Sequence, residues 1–271
     1  MTITIDLGGR TALVTGAGAG IGRGIATWLG AAGAFVAVVD IRAERAVEAA
    51  RSITAAGGEA MAITADLRDD AAHDRVVEAV VDRRGGLDVA VNNVGMLPAG
   101  RRPQPFVHSR GDAWRDIVDQ NLTVAALGAR AQAEAMLGGA PGDRCILFVS
   151  SGETTRPSPT NAVYAAAKAA LNHLVTSLAV EWGPHGIRCL AIAPGTTMTE
   201  QVAAAFSDEH YRAIVASTPL RRAVDVDELG RLAVFLASDL ARCITGQFLL
   251  ADAGAFLSRT RPQLPGGPDD H

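Results

Sequence analysis

Tyr164 and Lys168 are the residues whose spacing most directly suggests chemistry. They lie in the sequence YAAAK within an Ala-rich segment, and on an α-helix the i, i+4 spacing places both side chains on one face. A tyrosine with its ordinary pKa of about 10 is a poor proton carrier at neutral pH, but a neighbouring ammonium group favours the phenolate and lowers that pKa. The pair could therefore exchange protons with a substrate, although the same spacing is also common on exposed helix faces.

A glycine-rich turn near the N-terminus indicates a phosphate-binding loop. Residues 15–22 read TGAGAGIG, after an apolar run typical of a strand and at the start of a helical pattern. Glycine lets the backbone turn sharply and approach a pyrophosphate, whose charge is met by N–H groups at the helix N-terminus. Taken alone, the motif could also be a tight strand-to-helix connection.

Asp40 strengthens this interpretation and favours one dinucleotide. It ends the run VAVVD, about 20 residues after the glycine turn, where an acidic side chain can accept hydrogen bonds from adenosine ribose hydroxyls. Its charge would repel a 2′-phosphate, and Ala19 supplies no cation within the turn, so NAD(H) is favoured over NADP(H). Arg42 is the nearby residue that favours a phosphate. Asp66, after the third apolar run, could reach the adenine or could serve only to cap the next helix.

The alternation of short apolar runs with longer Ala-rich stretches predicts parallel strands joined by crossover helices. Strands are predicted at Thr11–Thr15, Phe35–Val39, Ala60–Thr64, Asp88–Val91, Cys145–Val149, Arg188–Ala193 and Gln247–Ala251. Helices are predicted at Ile21–Ala32, Ala43–Ala56, Ala71–Arg84, Asp112–Leu137, Ala162–Trp182 and Val226–Ala237. The expected α/β fold is a single Rossmann-type, doubly wound domain over residues 1–257, with a seven-stranded parallel sheet flanked by helices. Residues 258–271, rich in Pro, Gly and charge, are expected to be extended or disordered.

The composition argues against several classes of function. A net charge of −4 over 271 residues, without a basic run, lacks the electrostatic signature of a nucleic-acid-binding protein. No basic segment followed by an apolar one begins the chain, and no stretch reaches the roughly 18 apolar residues of a membrane span. A cytoplasmic protein is therefore expected. The scattered histidines and three cysteines show no zinc-ligand spacing, and the cysteines are predicted to be small core residues.

The motifs taken together resemble the short-chain dehydrogenase/reductase family over residues 7–257. Ser151 follows the run CILFVS and stands thirteen residues before Tyr164. Further matches in the family's order are NNVG at 92–95, Asn121 in DQNL, Pro194 with Gly195, and TGQ at 245–247.

The resemblance implies a role for each of four residues. Tyr164 would be the general acid and base, and Lys168 would lower its pKa while holding the nicotinamide ribose. Ser151 would hydrogen-bond the substrate oxygen, with Ser150 as the less favoured alternative. Asn121 would kink its helix and hold a water that connects Lys168 to solvent.

The resemblance also implies a set of cofactor contacts and leaves two departures. Asn92 and Gly95 would border the ribose, and Thr197 and Thr199 would meet the carboxamide. Val94 replaces the alanine usual in the family, and the stretch between Gly95 and Asn121 is a few residues longer than usual. The predicted cofactor-binding residues are Gly16, Gly18, Gly20, Ile21, Gly22, Asp40, Ile41, Asp66, Leu67, Asn93, Val94, Gly95, Tyr164, Lys168, Pro194, Gly195, Thr197 and Thr199.

The predicted activity is hydride transfer between NAD(H) and a secondary alcohol or ketone, without a metal. A 3-oxoacyl-thioester reductase is an alternative, but it would use NADPH and want a basic residue near position 19 or 41, where the chain has Ala19 and Ile41. A non-catalytic dinucleotide-sensing protein would not need Asn121, Ser151, Tyr164 and Lys168.

The substrate is not identified, because the segment expected to cover it, 198–222, is poorly defined by motifs. Arg101, Arg102 and Arg156 could line the cleft and bind an anionic substrate through paired hydrogen bonds, or they could be solvated surface residues. A homotetramer is also expected, from the resemblance and from the small apolar helix faces near Val124–Ala135 and Ala165–Ala179.

Overall fold

The computed structural model describes residues 4–98 and 100–258. Within them, seven parallel strands form one sheet in the order β3-β2-β1-β4-β5-β6-β7. The sheet reverses direction of winding between β1 and β4, as in a doubly wound fold, which confirms the predicted fold class. The strands are β1 Thr11–Thr15, β2 Phe35–Asp40, β3 Glu59–Thr64, β4 Val89–Asn92, β5 Arg144–Val149, β6 Ile187–Pro194 and β7 Phe248–Ala251.

Helices cover both faces of the sheet. The first face is packed by α1, α2 and α9, and the second by α3, α5 and α6. Because strands β1, β2, β4, β5 and β6 are buried throughout, they read as continuous apolar runs rather than as alternating ones. The helices are α1 Gly20–Ala31, α2 Ala43–Ala55, α3 Asp70–Arg84, α4 Gly111–Val118, α5 Val124–Gly138, α6 Ala162–Trp182, α7 Glu200–Ala205, α8 Asp208–Ser217 and α9 Val226–Ala237.

Two of the three cysteines are core residues, as predicted, whereas Cys243 is exposed, so the prediction is wrong for that residue. Cys145 on β5 and Cys189 on β6 are buried against opposite faces of the sheet, and burial raises the pKa of each thiol to about 12. Both therefore remain protonated and unreactive near neutral pH.

The continuous helix predicted over Asp112–Leu137 is wrong, because it is interrupted at Asn121, where the family resemblance implied a kink. Helix α4 ends at Val118, a π-helical turn covers Asp119–Thr123, and α5 begins at Val124. Within the turn, the Asn121 side-chain amide donates to the carbonyls of Ile117 and Met96, each at 2.9 Å. An extra residue in the turn brings this side chain toward the loop after β4, and such π-bulges often occur at functional sites.

The segment 198–222, for which no helix was predicted, contains α7 and α8. Each begins with a hydroxyl cap: Thr199 accepts from the Val202 amide and Ser207 from the His210 amide. These caps were visible in the sequence as signals of helix starts. The predicted tail, 258–271, lies outside the described residues except for Ser258. No helix in the described part of the chain is long and apolar enough to cross a membrane.

Candidate active site

The predicted site residues lie at the carboxyl ends of four neighbouring strands. The glycine turn follows β1, residues 93–95 follow β4, Ser150 and Ser151 follow β5, and residues 195–199 follow β6. In open parallel sheets, this edge is where ligands bind, next to the switch in strand order.

The glycine turn has the backbone shape of an anion-binding loop. Gly16 and Gly20 have φ values of +60° and +55°, which lie in the left-handed region that favours glycine. A side chain at Gly22 would collide with the carbonyl of Gly16. No side chain caps the start of α1, where Ala19 is the N-cap, so the first N–H groups of α1 are left to bind a ligand or water. Ile21 continues this first turn of the helix.

Asn93 and Thr15 fix the glycine turn to β4. The Asn93 side chain donates to the carbonyls of Thr15 and Gly16, at 3.0 and 3.2 Å, and its backbone N–H donates to the Thr15 hydroxyl at 3.0 Å. Asn93 therefore holds the glycine turn against the end of β4. Val94 packs beside Gly16 in the same arrangement.

The role expected for Asn92, bordering the ribose, is not what the structure shows. Asn92 is buried, and its amide forms a reciprocal pair with Gln132 of α5, at 2.8 and 3.0 Å. Successive side chains on a strand point to opposite faces of the sheet, and Asn92 points toward α5. The residues that follow it, 93–95, lie at the edge of the sheet. Gln132 was not identified from the sequence.

Asp40 lies beside the glycine turn, where it was predicted to meet a ribose. Its Oδ2 accepts from the Gly18 amide and its Oδ1 from the Arg42 amide, each at 3.0 Å. A Cβ at Gly18 would lie 2.7 Å from Oδ2, so this carboxylate requires glycine there. Each carboxylate oxygen can accept a second hydrogen bond, which leaves capacity for ribose hydroxyls. The neighbouring Ile41 side chain is exposed.

Asp66 is engaged by an arginine. Its two oxygens accept from Nε and Nη2 of Arg68, at 2.9 and 2.6 Å, and this hydrogen bonding lowers the pKa of Asp66. The alternative that Asp66 caps α3 is wrong, since the cap is Asp69, whose side chain accepts from the Ala71 amide. Leu67 is buried in the core.

The two serines after β5 have different partners. The Ser150 hydroxyl donates to Oδ1 of Asn172 at 2.5 Å, which ties it to helix α6. Ser151 caps a short 3₁₀ helix, Gly152–Thr155, where its hydroxyl oxygen accepts from the Glu153 amide at 3.2 Å. The Ser151 hydroxyl also hydrogen-bonds Tyr164, which lowers the pKa of the phenol. Ser151 and Tyr164 therefore form the polar pair, and Ser150 lies outside it.

The pKa of Tyr164 is raised in this structure, whereas a lowered value was predicted. Burial has the largest effect because it penalises the phenolate, the Glu153 carboxylate raises the pKa further, and the hydrogen bond with Ser151 opposes both. The ammonium of Lys168 lies 6.0 Å from the centre of the Tyr164 ring and is hydrogen-bonded elsewhere. In the structure as it stands, desolvation outweighs the expected effect of the lysine.

Lys168 is the only lysine of the chain, and its side chain is fully buried. Its Nζ donates to the carbonyl of Val149 at 2.8 Å. A Cβ at Gly95 would lie 2.5 Å from Nζ, and Gly95 has a φ of +158°, so glycine is needed to admit the ammonium. Burial lowers the pKa of Lys168 to about 8, which keeps the group mostly charged at neutral pH.

Asn121 places an unpaired acceptor next to this ammonium. Its Oδ1 is buried and has no hydrogen-bond partner among the described residues. The position of a Cβ at Gly95 lies 2.9 Å from this oxygen and 2.5 Å from Nζ of Lys168, so the two polar atoms face the same small space. A buried acceptor without a partner is costly, and a water between the two groups would satisfy both.

The residues after β6 rest on the glycine turn. A Cβ at Gly20 would lie 3.3 Å from Cγ2 of Thr199. Thr197 is buried and its hydroxyl donates to the carbonyl of Gly195 at 3.2 Å, directly after Pro194 ends the strand. Thr199 therefore lies beside the glycine turn, and Thr197 lies two residues before it in the same loop.

Of the three arginines that could line the cleft, two are paired with carboxylates and one is exposed. Arg101 donates to Asp112 at 2.9 Å and to Asp116 at 2.5 Å. Arg156 lies 3.8 Å from Glu153, whereas Arg102 is exposed. The expectation of a guanidinium cluster for an anionic substrate is therefore wrong for Arg101, because two carboxylates on successive turns of α4 offset its charge.

The lowered pKa of Lys168 implies that the free energy of unfolding depends on pH. Between pH 8 and 10.5 the unfolded lysine binds a proton that the folded one releases, so the free energy of unfolding rises with pH over this window, by about 3 kcal/mol. We expect Lys168→Met to be more stable than the wild type at pH 7, and this gain to shrink as the pH approaches 10.5, as measured by denaturant unfolding.

The same value can be measured directly because the chain has a single lysine. With ¹³C-labelled lysine, one side-chain NMR signal is expected to titrate near pH 8. Titration near 10.5, together with equal stability of both proteins at pH 7, would contradict a desolvated ammonium.

Comparison with known proteins supports one family. The family model described as enoyl-(acyl carrier protein) reductase matches residues 16–255. L-Rhamnose 1-dehydrogenase (NAD(P)⁺) of Azotobacter vinelandii is 35% identical over 92% of this chain and 97% of its own. The 7α-hydroxysteroid dehydrogenase of Escherichia coli is 32% identical over 92% and 95%.

Solved structures give the same result. A 7α-hydroxysteroid dehydrogenase in complex with NADH and 7-oxoglycochenodeoxycholic acid superimposes with a TM-score of 0.87 at 30% identity, covering 94% of this chain and 98% of the other. A short-chain alcohol dehydrogenase from Sinorhizobium meliloti gives a TM-score of 0.87 at 37% identity, covering 94% and 100%. The chain belongs to the short-chain dehydrogenase/reductase family and is an oxidoreductase that uses an NAD(P) nucleotide.

Proposed function

We propose that the protein interconverts a secondary alcohol and a ketone, with NAD(H) as the preferred dinucleotide and Tyr164 as proton donor and acceptor. The observation that carries this proposal is the convergence of four side chains, Ser151, Tyr164, Lys168 and Asn121, at the sheet edge next to a glycine cradle. Bound NAD(H) would supply or accept hydride at the substrate carbon.

The chain's own residues would manage the substrate oxygen and its proton. The Ser151 hydroxyl lies close enough to Tyr164 to lower the pKa of the phenol, so an alcohol or ketone oxygen placed between them would be held by two hydroxyls. In reduction the Tyr164 phenol gives its proton to that oxygen, and in oxidation the phenolate takes it back. Lys168 and the unpaired Oδ1 of Asn121 offer a polar route for this proton toward solvent, with a water between them.

Residues near the glycine turn support NAD(H) over NADP(H). Asp40 is positioned to accept from ribose hydroxyls, and its charge opposes a 2′-phosphate. Ala19 and the exposed Ile41 supply no cation, although Arg42 lies next to them. This disfavours an NADPH-dependent 3-oxoacyl-thioester reductase, the nearest alternative. The named relatives act on rhamnose and on hydroxysteroids, which accords with a secondary alcohol or ketone.

We also propose a cytoplasmic homotetramer. Helix α6 exposes a row of small side chains, Ala166, Ala169 and Ala170, and the larger Val180 is 79% exposed. A face of this kind can pack closely against a symmetry-related copy.

Replacement of Tyr164 tests the chemical step. Tyr164→Phe is expected to lower kcat by about 10²–10⁴-fold, because the phenyl ring cannot transfer a proton. NADH affinity, followed by fluorescence, should change little. Tyr211→Phe alters the only other tyrosine, on α8, and serves as the control with near wild-type turnover. Retained turnover in Tyr164→Phe would show that another group is the acid.

Replacement of Asp40 tests the choice of dinucleotide. Asp40→Ala removes hydrogen bonds to a charged acceptor, so kcat/KM with NAD⁺ should fall about tenfold or more, while that with NADP⁺ should not. Asp82→Asn on the exposed face of α3 is the control. Comparable kcat/KM values with both dinucleotides in the wild type would refute the NAD preference.

The tetramer is tested by mass in solution. Light scattering at micromolar concentration is expected to give four times the mass of one chain, and Ala169→Arg should dissociate the assembly because the new side chain cannot be accommodated between close-packed helices. Ala55→Arg, at the exposed end of α2, should leave the mass unchanged. A monomeric wild type would contradict this proposal.

A further inference from the structure

A buried carboxylate stands beside the proposed reacting groups and has no role in the mechanism so far. Glu153 is only 8% exposed, and it lies in the short helix Gly152–Thr155 directly after Ser151. Its backbone N–H donates to the Ser151 hydroxyl oxygen at 3.2 Å. Its charge also raises the pKa of Tyr164, so the carboxylate lies near the phenol.

The two oxygens of this carboxylate are not equally occupied. Oε2 accepts from the Ser158 hydroxyl at 2.8 Å. The nearest cation to Oε1 is Nη2 of Arg156, at 3.8 Å, and Oε1 accepts no hydrogen bond within the described residues. Oε1 is not fully enclosed by protein. It can therefore accept a hydrogen bond from a ligand.

Arg156 is held in place rather than presented to solvent. Its guanidinium carbon lies 4.9 Å from the centre of the Phe256 ring, in the range of a cation–π contact. The Phe256 backbone N–H donates to Oδ2 of Asp252 at 2.7 Å, and its ring covers Gly152 so closely that a Cβ there would collide with it. The guanidinium therefore offsets the charge of Glu153 without occupying Oε1.

Two further polar atoms of this loop lack partners. Nε of Arg156 and Oδ1 of Asn161 are buried without a hydrogen bond in the described residues. Both atoms are enclosed by protein, so they make this loop polar but cannot themselves contact a ligand.

We propose that Glu153 is a specificity-determining residue whose Oε1 accepts a hydrogen bond from a second hydroxyl of a neutral, polyhydroxylated substrate, as in a sugar or a vicinal diol. This inference rests on the proposed alcohol dehydrogenase function. An anionic substrate would be repelled by the carboxylate of Glu153. A hydrocarbon group of the substrate would bury this carboxylate without giving it a hydrogen bond, which is unfavourable.

The test compares substrates of one carbon skeleton with NAD⁺: 2,3-butanediol, 2-butanol and 3-hydroxybutyrate. In the wild type, kcat/KM for the diol should exceed that for 2-butanol by about tenfold or more. Glu153→Gln should lower the ratio of kcat/KM for the diol to that for 2-butanol about tenfold, since any change in the Tyr164 pKa affects both alcohols alike, and it should raise the value for 3-hydroxybutyrate relative to 2-butanol. Glu153→Met, whose thioether is only a weak acceptor, should abolish most of the preference for the diol.

Glu134→Gln is the matched control, because Glu134 also pairs with an arginine, Arg130, at 3.0 Å, but on the exposed face of α5. It should leave all three values unchanged. Calorimetric titration of the diol into NADH-loaded Tyr164→Phe gives the affinity for the diol in the absence of turnover. Adding Glu153→Gln to this variant should weaken that affinity by the same factor.

The outcomes separate this inference from the function on which it rests. Equal losses for the diol and for 2-butanol, or equal wild-type values for the two, would overturn the role of Glu153 while the dehydrogenase function stands. The absence of any NAD⁺-dependent oxidation of these alcohols, and of NADH-dependent reduction of the corresponding ketones, would overturn both.

Discussion

The burial of one ammonium group is the constraint on which the site depends. Lys168 leaves water entirely, and desolvation of a charge is expensive unless polar groups replace its hydration. The carbonyl of Val149, at the end of β5, supplies one such group. Gly95 supplies the room, since any side chain there would meet Nζ. The π-helical turn brings the oxygen of Asn121 to the same space. The end of β5, Gly95 and the π-helical turn thus together determine where the Lys168 side chain lies.

The same edge of the sheet is made rigid by amides and hydroxyls that do not touch the proposed reaction. Asn93 and Thr15 join the end of β4 to the glycine turn, and the Asn92–Gln132 pair joins β4 to α5. Second-layer contacts of this kind hold a reacting geometry within the small tolerance that catalysis needs. Replacement of Gln132 or Thr15 would therefore alter function by displacing the end of β4 and the glycine turn, not by removing a reacting group.

Much of the fold followed from the sequence because local patterns and burial agree along the chain. Strand β1 and helix α6 have the predicted bounds, since a short run of apolar and β-branched residues and a long Ala-rich run each specify one structure. The hydrophobic pattern predicted a continuous helix through Asp119–Thr123, because the π-helical turn depends on a contact of Asn121 with Met96, 25 positions away. The kink at Asn121 was implied only by the family resemblance. The raised pKa of Tyr164 was missed for a related reason: spacing reports which groups are neighbours, whereas desolvation depends on everything packed around them.

The arginines show when the ion-pair partner of a charged residue can be predicted from the sequence. Arg101 stands ten or more positions before its partners, yet Asp112 and Asp116 are spaced four apart on a helix, and a forked guanidinium fits two carboxylates on one helix face. That spacing was a readable signal of a structural ion pair. Arg156 is different, because its partner Glu153 is three positions away but its other neighbour, Phe256, comes from the far end of the chain. Only the folded chain reveals that this arginine offsets a carboxylate beside the proposed reacting groups. The wall next to Ser151 and Tyr164 therefore has an open acceptor and a compensated charge, which is a surface suited to hydroxyl groups rather than to an anion.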